Sequence, residues 1–68
     1  MTLDDAVSYK GKLKIITTNG NCRIGYIEEV IHKDEYENQE ETEILFNTVD
    51  GGGYSIMESE IVSIDEVK

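Results

Sequence analysis

Two turn signals that contain glycine divide this chain into short apolar runs, and their spacing constrains the fold more than any other feature. Asn19-Gly20 follows the run from Lys12 to Thr18, in which Leu13 and Ile15 alternate with polar or charged residues. Alternation with a period of two is typical of a strand with one buried face. An Asn-Gly pair between two such runs predicts a hairpin with a two-residue type I′ turn, which needs positive φ at both positions. The second signal, residues 50–53, predicts another hairpin.

The N-terminal segment has helical periodicity. Thr2 followed by Asp5 has the spacing of a capping box, which predicts a short helix over about residues 2–9 that ends at Gly11. The strand after Asn19-Gly20 is expected to run from Asn21 to about Lys33, with Gly25 as the place where it bends or bulges.

The remaining apolar runs predict three more strands, over residues 44–49, 54–57 and 61–64. One short helix followed by five short strands predicts a mainly β fold, a small closed or nearly closed barrel, with one domain over residues 1–68. The expected core consists of Leu13, Ile15, Ile24, Ile27, Ile44, Phe46, Ile56, Ile61 and Ile64. Cys22 alternates with Ile24 and is expected to be a small core residue.

The length and cysteine content of the chain limit its expected stability and cellular location. A chain of 68 residues with one cysteine, Cys22, cannot form an internal disulfide, so we expect modest stability and a reducing, cytoplasmic location. The N-terminus has no basic region, and no apolar run approaches the length of a signal core or a membrane span, so the chain is expected to be soluble and mature as written.

Charge is divided unequally along the chain. Residues 1–23 carry four basic and two acidic side chains, a net charge of +2, whereas residues 24–68 carry two basic and 13 acidic side chains, a net charge of −11. A body this negative repels phosphate backbones and attracts basic surfaces. Six of the acids lie within residues 34–43, which have no apolar period and are expected to form a solvated loop.

The glycines at the first hairpin give the chain a family resemblance. Asn19-Gly20, then Gly25 five positions after the turn glycine, then Ile27, resembles the first motif of the Sm-like family. The segment from Ile56 to Ile61 has the spacing of the family's second motif. The resemblance implies a strongly bent five-stranded barrel of the SH3-like kind, which in that family often joins edge to edge into rings that bind RNA.

The residues that contact RNA in that family are not carried over. His32 and Glu35 stand where the first motif has Asp and Asn, and Met57-Glu58 replaces the Arg-Gly pair of the second motif. The layout of an N-terminal helix followed by an acidic barrel is also similar to the Rho-binding antiterminator family, whose barrel occupies a nucleic-acid site on its partner. That similarity implies an acidic module that imitates nucleic acid.

Several segments contain residues that are common in catalytic, phosphate-binding or metal sites, but the residues around them do not complete such a site. His32, the only histidine, has no serine or cysteine near it in sequence that could serve as a nucleophile. Residues 51–53 are three glycines, but the Lys and Ser/Thr of a phosphate-binding loop are missing and a strand follows. The acids of residues 34–43 lack the order that builds a calcium shell. We therefore expect no catalytic residues, no metal and no cofactor.

The sequence thus favours a non-enzymatic interaction module that binds a basic protein surface. The alternative is an RNA-binding Sm-like ring subunit that uses a basic face formed by Lys12, Lys14 and Arg23, with nucleic acid otherwise an unexpected ligand. Homo-oligomers through strand edges are compatible with either reading. The residues expected to contact the basic partner are Glu35, Glu37, Glu40, Glu41 and Glu43.

Overall fold

A computed structural model describes residues 1–34 and 37–68. The elements follow the predicted order of one helix and five strands. They are α1 (Leu3–Ser8), β1 (Leu13–Thr17), β2 (Cys22–Ile31), β3 (Glu43–Thr48), β4 (Gly53–Met57), a 3₁₀ helix (Glu58–Glu60) and β5 (Ile61–Glu66).

All five strands belong to one antiparallel sheet with the order β4-β3-β2-β1-β5. The ten-residue strand β2 lies at the centre, and its first part pairs with β1 while its later part pairs with β3. The edge strands β4 and β5 are consecutive in the chain and are joined by only three residues. The mainly β class and the N-terminal helix are therefore confirmed.

The two predicted hairpins are present, but the predicted turn type is wrong. In the first, the Gly20 N–H donates to the Thr17 carbonyl at 2.9 Å and the Thr17 N–H donates to the Asn21 carbonyl at 3.0 Å. Gly20 has a φ of 85°, whereas Asn19 does not have a positive φ. This is a three-residue loop that ends in a left-handed glycine, and a single residue with positive φ suffices for it.

The hairpin between β3 and β4 repeats the same loop. The Gly51 N–H donates to the Thr48 carbonyl at 3.0 Å, the Thr48 N–H donates to the Gly52 carbonyl at 2.8 Å, and Gly51 has a φ of 96°. Each loop begins with threonine, two positions before an asparagine or an aspartate, Asn19 or Asp50, whose side chain accepts from the threonine hydroxyl. The two loops thus share the pattern Thr-x-Asn/Asp-Gly, at residues 17–20 and 48–51.

Gly25 is the residue of β2 that pairs with both β1 and β3. It pairs with Leu13 on β1 and with Thr48 on β3, and a Cβ placed on it would lie 2.0 Å from the Asn47 carbonyl oxygen. Only glycine allows the backbone of β3 to approach this closely. The register shift of β2 lies between Ile27 and Glu29, so there is no bulge at Gly25, and the bend expected there stays a prediction.

The core lies on one face of the sheet and is covered by α1. Leu13, Ile15, Ile44 and Phe46 are fully buried, and Ala6 of α1 joins them. Ile27 and Ile61 are partly buried against this cluster, and Ile56 and Ile64 complete the confirmed part of the predicted core.

Two core predictions on β2 are wrong. Ile24 is 36% exposed and Cys22 is exposed. Ile24 lies opposite Lys14, whereas Arg23 lies opposite the buried Ile15. Because successive side chains alternate between faces, Arg23, Gly25 and Ile27 face inward and the residues between them face outward.

The helix begins as predicted, since the Thr2 hydroxyl oxygen accepts from the Asp5 N–H at 3.2 Å. It ends at Ser8, with Tyr9 already in extended conformation, so Gly11 does not end it. No helix in the described ranges is long and apolar enough to span a membrane.

Candidate protein-interaction surface

The acidic segment, residues 37–43, is hydrogen-bonded to Lys33 and Asp34, which lie just after β2. The Asp34 N–H donates to the Gln39 carbonyl at 3.1 Å, and the Lys33 N–H donates to the Thr42 hydroxyl oxygen at 3.3 Å. Within the segment, the Gln39 side-chain amide donates to the Glu41 carbonyl at 2.5 Å. Glu35, one of the residues expected to contact the partner, lies outside the described residues. Residues 37–43 are thus connected by hydrogen bonds to the residues that follow β2.

The segment is also joined to the 3₁₀ helix, which the sequence did not predict. The Ser59 N–H donates to Glu41 Oε1 at 2.8 Å, and the Glu58 N–H donates to the Thr42 carbonyl at 2.9 Å. These contacts place the backbone of Glu58 and Ser59 beside Glu41 and Thr42, so two acidic segments adjoin. We call their acidic residues the acidic surface, and it consists of Glu37, Glu40, Glu41, Glu43, Glu58 and Glu60.

Only the pairing of β3 with β4 indicates that Glu58 and Glu60 belong to the acidic surface. Glu43 lies opposite Met57, and the antiparallel register continues by one step to Thr42 and Glu58. The 3₁₀ helix at residues 58–60, which directly follows β4, therefore begins beside the N-terminal end of β3. The acidic segment leads into β3 at this end. This relationship depends on long-range pairing, so the charge run in the sequence gives no sign of it.

Three members of the acidic surface also have structural roles. The backbone N–H of Ser59 donates to Glu41, and this hydrogen bond, followed by one from the Ser59 side chain, lowers the pKa of the Glu41 carboxyl below its ordinary value of 4.5. Glu43 accepts a hydrogen bond from the Ser55 hydroxyl, and Glu60 Oε1 accepts from the Met57 N–H at 2.9 Å. Glu37, Glu40 and Glu58 are exposed and their side chains have none of these roles, so they are the members best placed for intermolecular contact.

No lysine or arginine occurs within residues 37–43 or 58–60. The ion pair between Lys68 Nζ and Glu66 Oε1, at 4.0 Å, lies at the C-terminus and joins two exposed side chains. The two segments that form the acidic surface therefore contain no basic residue, and Lys33 adjoins them through its N–H bond to Thr42.

The register separates the residues of the alternative basic face. Lys14 lies on the outward face of β1, which Lys12 directly precedes, but Arg23 is opposite Ile15 and belongs to the inward face of β2. Lys14 is also opposite Asp65 on β5. The three basic residues thus do not share one face.

Arg23 has a different position from the one expected. Its guanidinium carbon lies 3.6 Å from the centroid of the Tyr54 ring, a cation–π contact between β2 and β4. The pair lies in a shallow groove of about 200 Å³, which the exposed apolar residues Ile24 and Val49 also line. Asp50 lies in the same groove, and its pKa is lowered, first by the Thr48 hydroxyl, then by the Gly52 N–H and, in smaller part, by the charge of Arg23.

Within the described residues, no group of three or more His, Cys, Asp or Glu side chains is arranged to hold a metal ion. His32 is exposed just after β2, and Cys22 is exposed at its start.

Comparison of the chain with models of protein families, with curated proteins and with solved structures found no match.

Proposed function

We propose that this protein is a non-enzymatic, acidic interaction module that binds a basic surface on another protein in the cytoplasm. The observation that carries the proposal is the joining of residues 37–43 to the 3₁₀ helix, with Glu41 bound to Ser59 at 2.8 Å. This contact joins two segments that are distant in sequence and that together carry six carboxylates. A fixed group of like charges attracts a complementary surface from about a Debye length away, roughly 8 Å at physiological salt.

A small, strongly bent barrel of the SH3-like or Sm-like kind is part of the same proposal. Strands β4 and β5 form opposite edges of a five-stranded sheet, yet only residues 58–60 separate Met57 from Ile61. In a flat sheet the two edges would be about 19 Å apart, four spacings of about 4.8 Å. Four extended residues span at most about 14 Å. Strong curvature of the sheet brings the end of β4 near the start of β5 and so supports the barrel.

The RNA-binding alternative loses its main support because Arg23 lies away from Lys12 and Lys14. Neutralising a phosphate backbone requires several basic side chains on one surface, and each phosphate contact adds to the salt dependence of binding. Two lysines in a protein with a net charge of −9 supply little of this attraction.

Affinity capture from an extract of the source cell, followed by quantitative mass spectrometry, tests the proposal. Nuclease treatment before capture distinguishes direct partners from proteins that are bridged by nucleic acid. We expect basic proteins that survive nuclease and are released by salt. Captured nucleic acid, or a set of proteins with no excess of basic members, would contradict the proposal.

A further inference from the structure

Strand β4 is an edge of the sheet, and its backbone alternates between groups that face β3 and groups that face away. Two hydrogen bonds mark the ends of the pairing between β3 and β4. At one end the Thr48 N–H donates to the Gly52 carbonyl, and at the other the Glu58 N–H donates to the Thr42 carbonyl. In an antiparallel pair, every second residue directs both its N–H and its C=O toward the neighbouring strand. Tyr54 and Ile56 therefore bond toward β3, and Gly53, Ser55 and Met57 direct their backbone groups outward.

At the C-terminal end of β4, the outward backbone N–H is already hydrogen-bonded within the protein. Glu60 Oε1 accepts from the Met57 N–H at 2.9 Å, so an acidic side chain occupies the outward donor at this position. Carboxylates at an edge discourage uncontrolled strand pairing. The outward groups of Gly53 and Ser55 lie on the part of β4 before this carboxylate.

The side chains on the two faces of β4 differ in chemistry. On the outer face, the Ser55 hydroxyl donates to Glu43, and Glu28 lies near Ser55 along a shallow depression. On the inner face, Tyr54 is 38% exposed and lies opposite the buried Phe46, with Arg23 over its ring. A strand beside β4 would thus meet carboxylates on one face and an aromatic ring on the other.

We propose that β4 binds an extended segment of a basic partner by strand addition. Basic side chains of the segment lie on the face of Ser55 and Glu43, and apolar side chains lie on the face of Tyr54. This inference rests on the proposed function, to which it adds the docking element and a pattern of alternating basic and apolar residues. A second copy of this chain is disfavoured as occupant because two bodies with a net charge of −9 each would meet.

The test uses two synthetic nine-residue peptides of equal composition, one with alternating lysine and valine and one with the lysines and valines in separate blocks. Nuclear magnetic resonance measures amide hydrogen exchange in the full-length protein with and without each peptide. The alternating peptide should slow exchange at Gly53 and Ser55 by about tenfold or more, and exchange at Ile56 should change less because its N–H is bonded in the free protein. The block peptide should bind more weakly.

Ser55 provides matched variants. Ser55→Pro removes the outward donor at a position where an edge strand tolerates proline, and it should weaken binding of the alternating peptide about tenfold or more. Ser55→Ala keeps the donor and should bind within about twofold of the wild type. If Ser55→Pro does not fold, peptides methylated on alternate backbone nitrogens replace it, and one of the two methylation patterns should abolish binding.

The outcomes separate this inference from the proposed function. Equal binding of both peptides, with spectral changes confined to Glu37 and Glu40, would overturn strand addition and leave a purely electrostatic module. Slow exchange at Gly53 and Ser55 in a peptide-free dimer would overturn it in favour of self-pairing. Failure of both peptides to bind would also overturn it, and the absence of basic proteins in the capture experiment would contradict the proposed function itself.

Discussion

The carboxylate of Glu41 accepts a hydrogen bond from the backbone N–H of Ser59, 2.8 Å away, and so joins the acidic segment to the 3₁₀ helix between β4 and β5. Because this bond favours the charged form, the Glu41 pKa is below 4.5 in the folded protein. Its contribution to stability is therefore present at neutral pH and above about 4.5, and it disappears as pH falls through the lower folded value.

A titration checks this prediction directly. The side-chain carboxyl carbon of Glu41, followed by nuclear magnetic resonance, should titrate below pH 4.5 in the wild type and at higher pH in Ser59→Pro, which lacks the donor. Ser59→Ala keeps the backbone donor, whose hydrogen bond is the largest cause of the shift, and should remain closer to the wild type. Identical titration of all three proteins would show that the two segments are not joined in solution.

Gly25 should not tolerate a side chain. A Cβ on this residue would lie 2.0 Å from the Asn47 carbonyl oxygen and 2.6 Å from the Thr48 Cα, and both are backbone atoms that cannot rotate away. We expect Gly25→Ala to lower the free energy of unfolding by about 3 kcal/mol, measured by urea denaturation. Gly53→Ala is the control, because its nearest neighbour would be 3.6 Å away. Superimposable melts of Gly25→Ala and the wild type would contradict the close approach of β3.

The paired hairpin loops predict parallel effects of the same substitution. Thr48 Oγ1 accepts from the Gly52 N–H at 2.9 Å and donates to Asp50, and Thr17 Oγ1 donates to Asn19 at 2.5 Å. Valine keeps the shape of threonine but removes these bonds, so Thr17→Val and Thr48→Val should each cost about 1 kcal/mol in thermal or urea melts. Serine at either position keeps the hydroxyl and should cost less. A valine variant as stable as its serine counterpart would show that the hydroxyl is incidental.

Nucleic acid should not bind at physiological ionic strength. Arg23 is stacked on Tyr54 and does not join Lys12 and Lys14. Fluorescence anisotropy with labelled oligo-U and oligo-A in about 150 mM salt should show no saturable binding. Sub-micromolar affinity that is lost in Lys12→Gln/Lys14→Gln would favour the RNA-binding alternative.

The sequence predicts the strands well because alternation and turn residues are local signals. It does not predict which face of β2 is buried, since Ile24 and Ile27 are both apolar and cannot both face inward on a regular strand. The pairing of Arg23 and Gly25 with the buried Ile15 and Leu13 decides the face, and this pairing is a long-range contact.

The acidic surface likewise contains some residues that local sequence signals identify and others that only strand pairing identifies. The charge run identifies Glu37, Glu40, Glu41 and Glu43, because a cluster of acids is visible in the sequence itself. Glu58 and Glu60 join them only through the pairing of β3 with β4. The structural roles of Glu41 and Glu43 were also unforeseen, because each depends on a serine that is distant in the chain.

The most direct test of the proposed function is the association rate with a captured basic partner, measured by stopped-flow across a series of salt concentrations. Glu37→Gln/Glu40→Gln removes two exposed charges of the acidic surface without touching its hydrogen bonds to serine. Asp4→Asn/Asp5→Asn removes the same charge from α1 and serves as the matched control. We expect the first variant to associate more slowly, by about two- to tenfold at low salt, and with a weaker salt dependence, while the control stays near the wild type. Equal rates and equal salt dependence for all three proteins would contradict capture by the acidic surface.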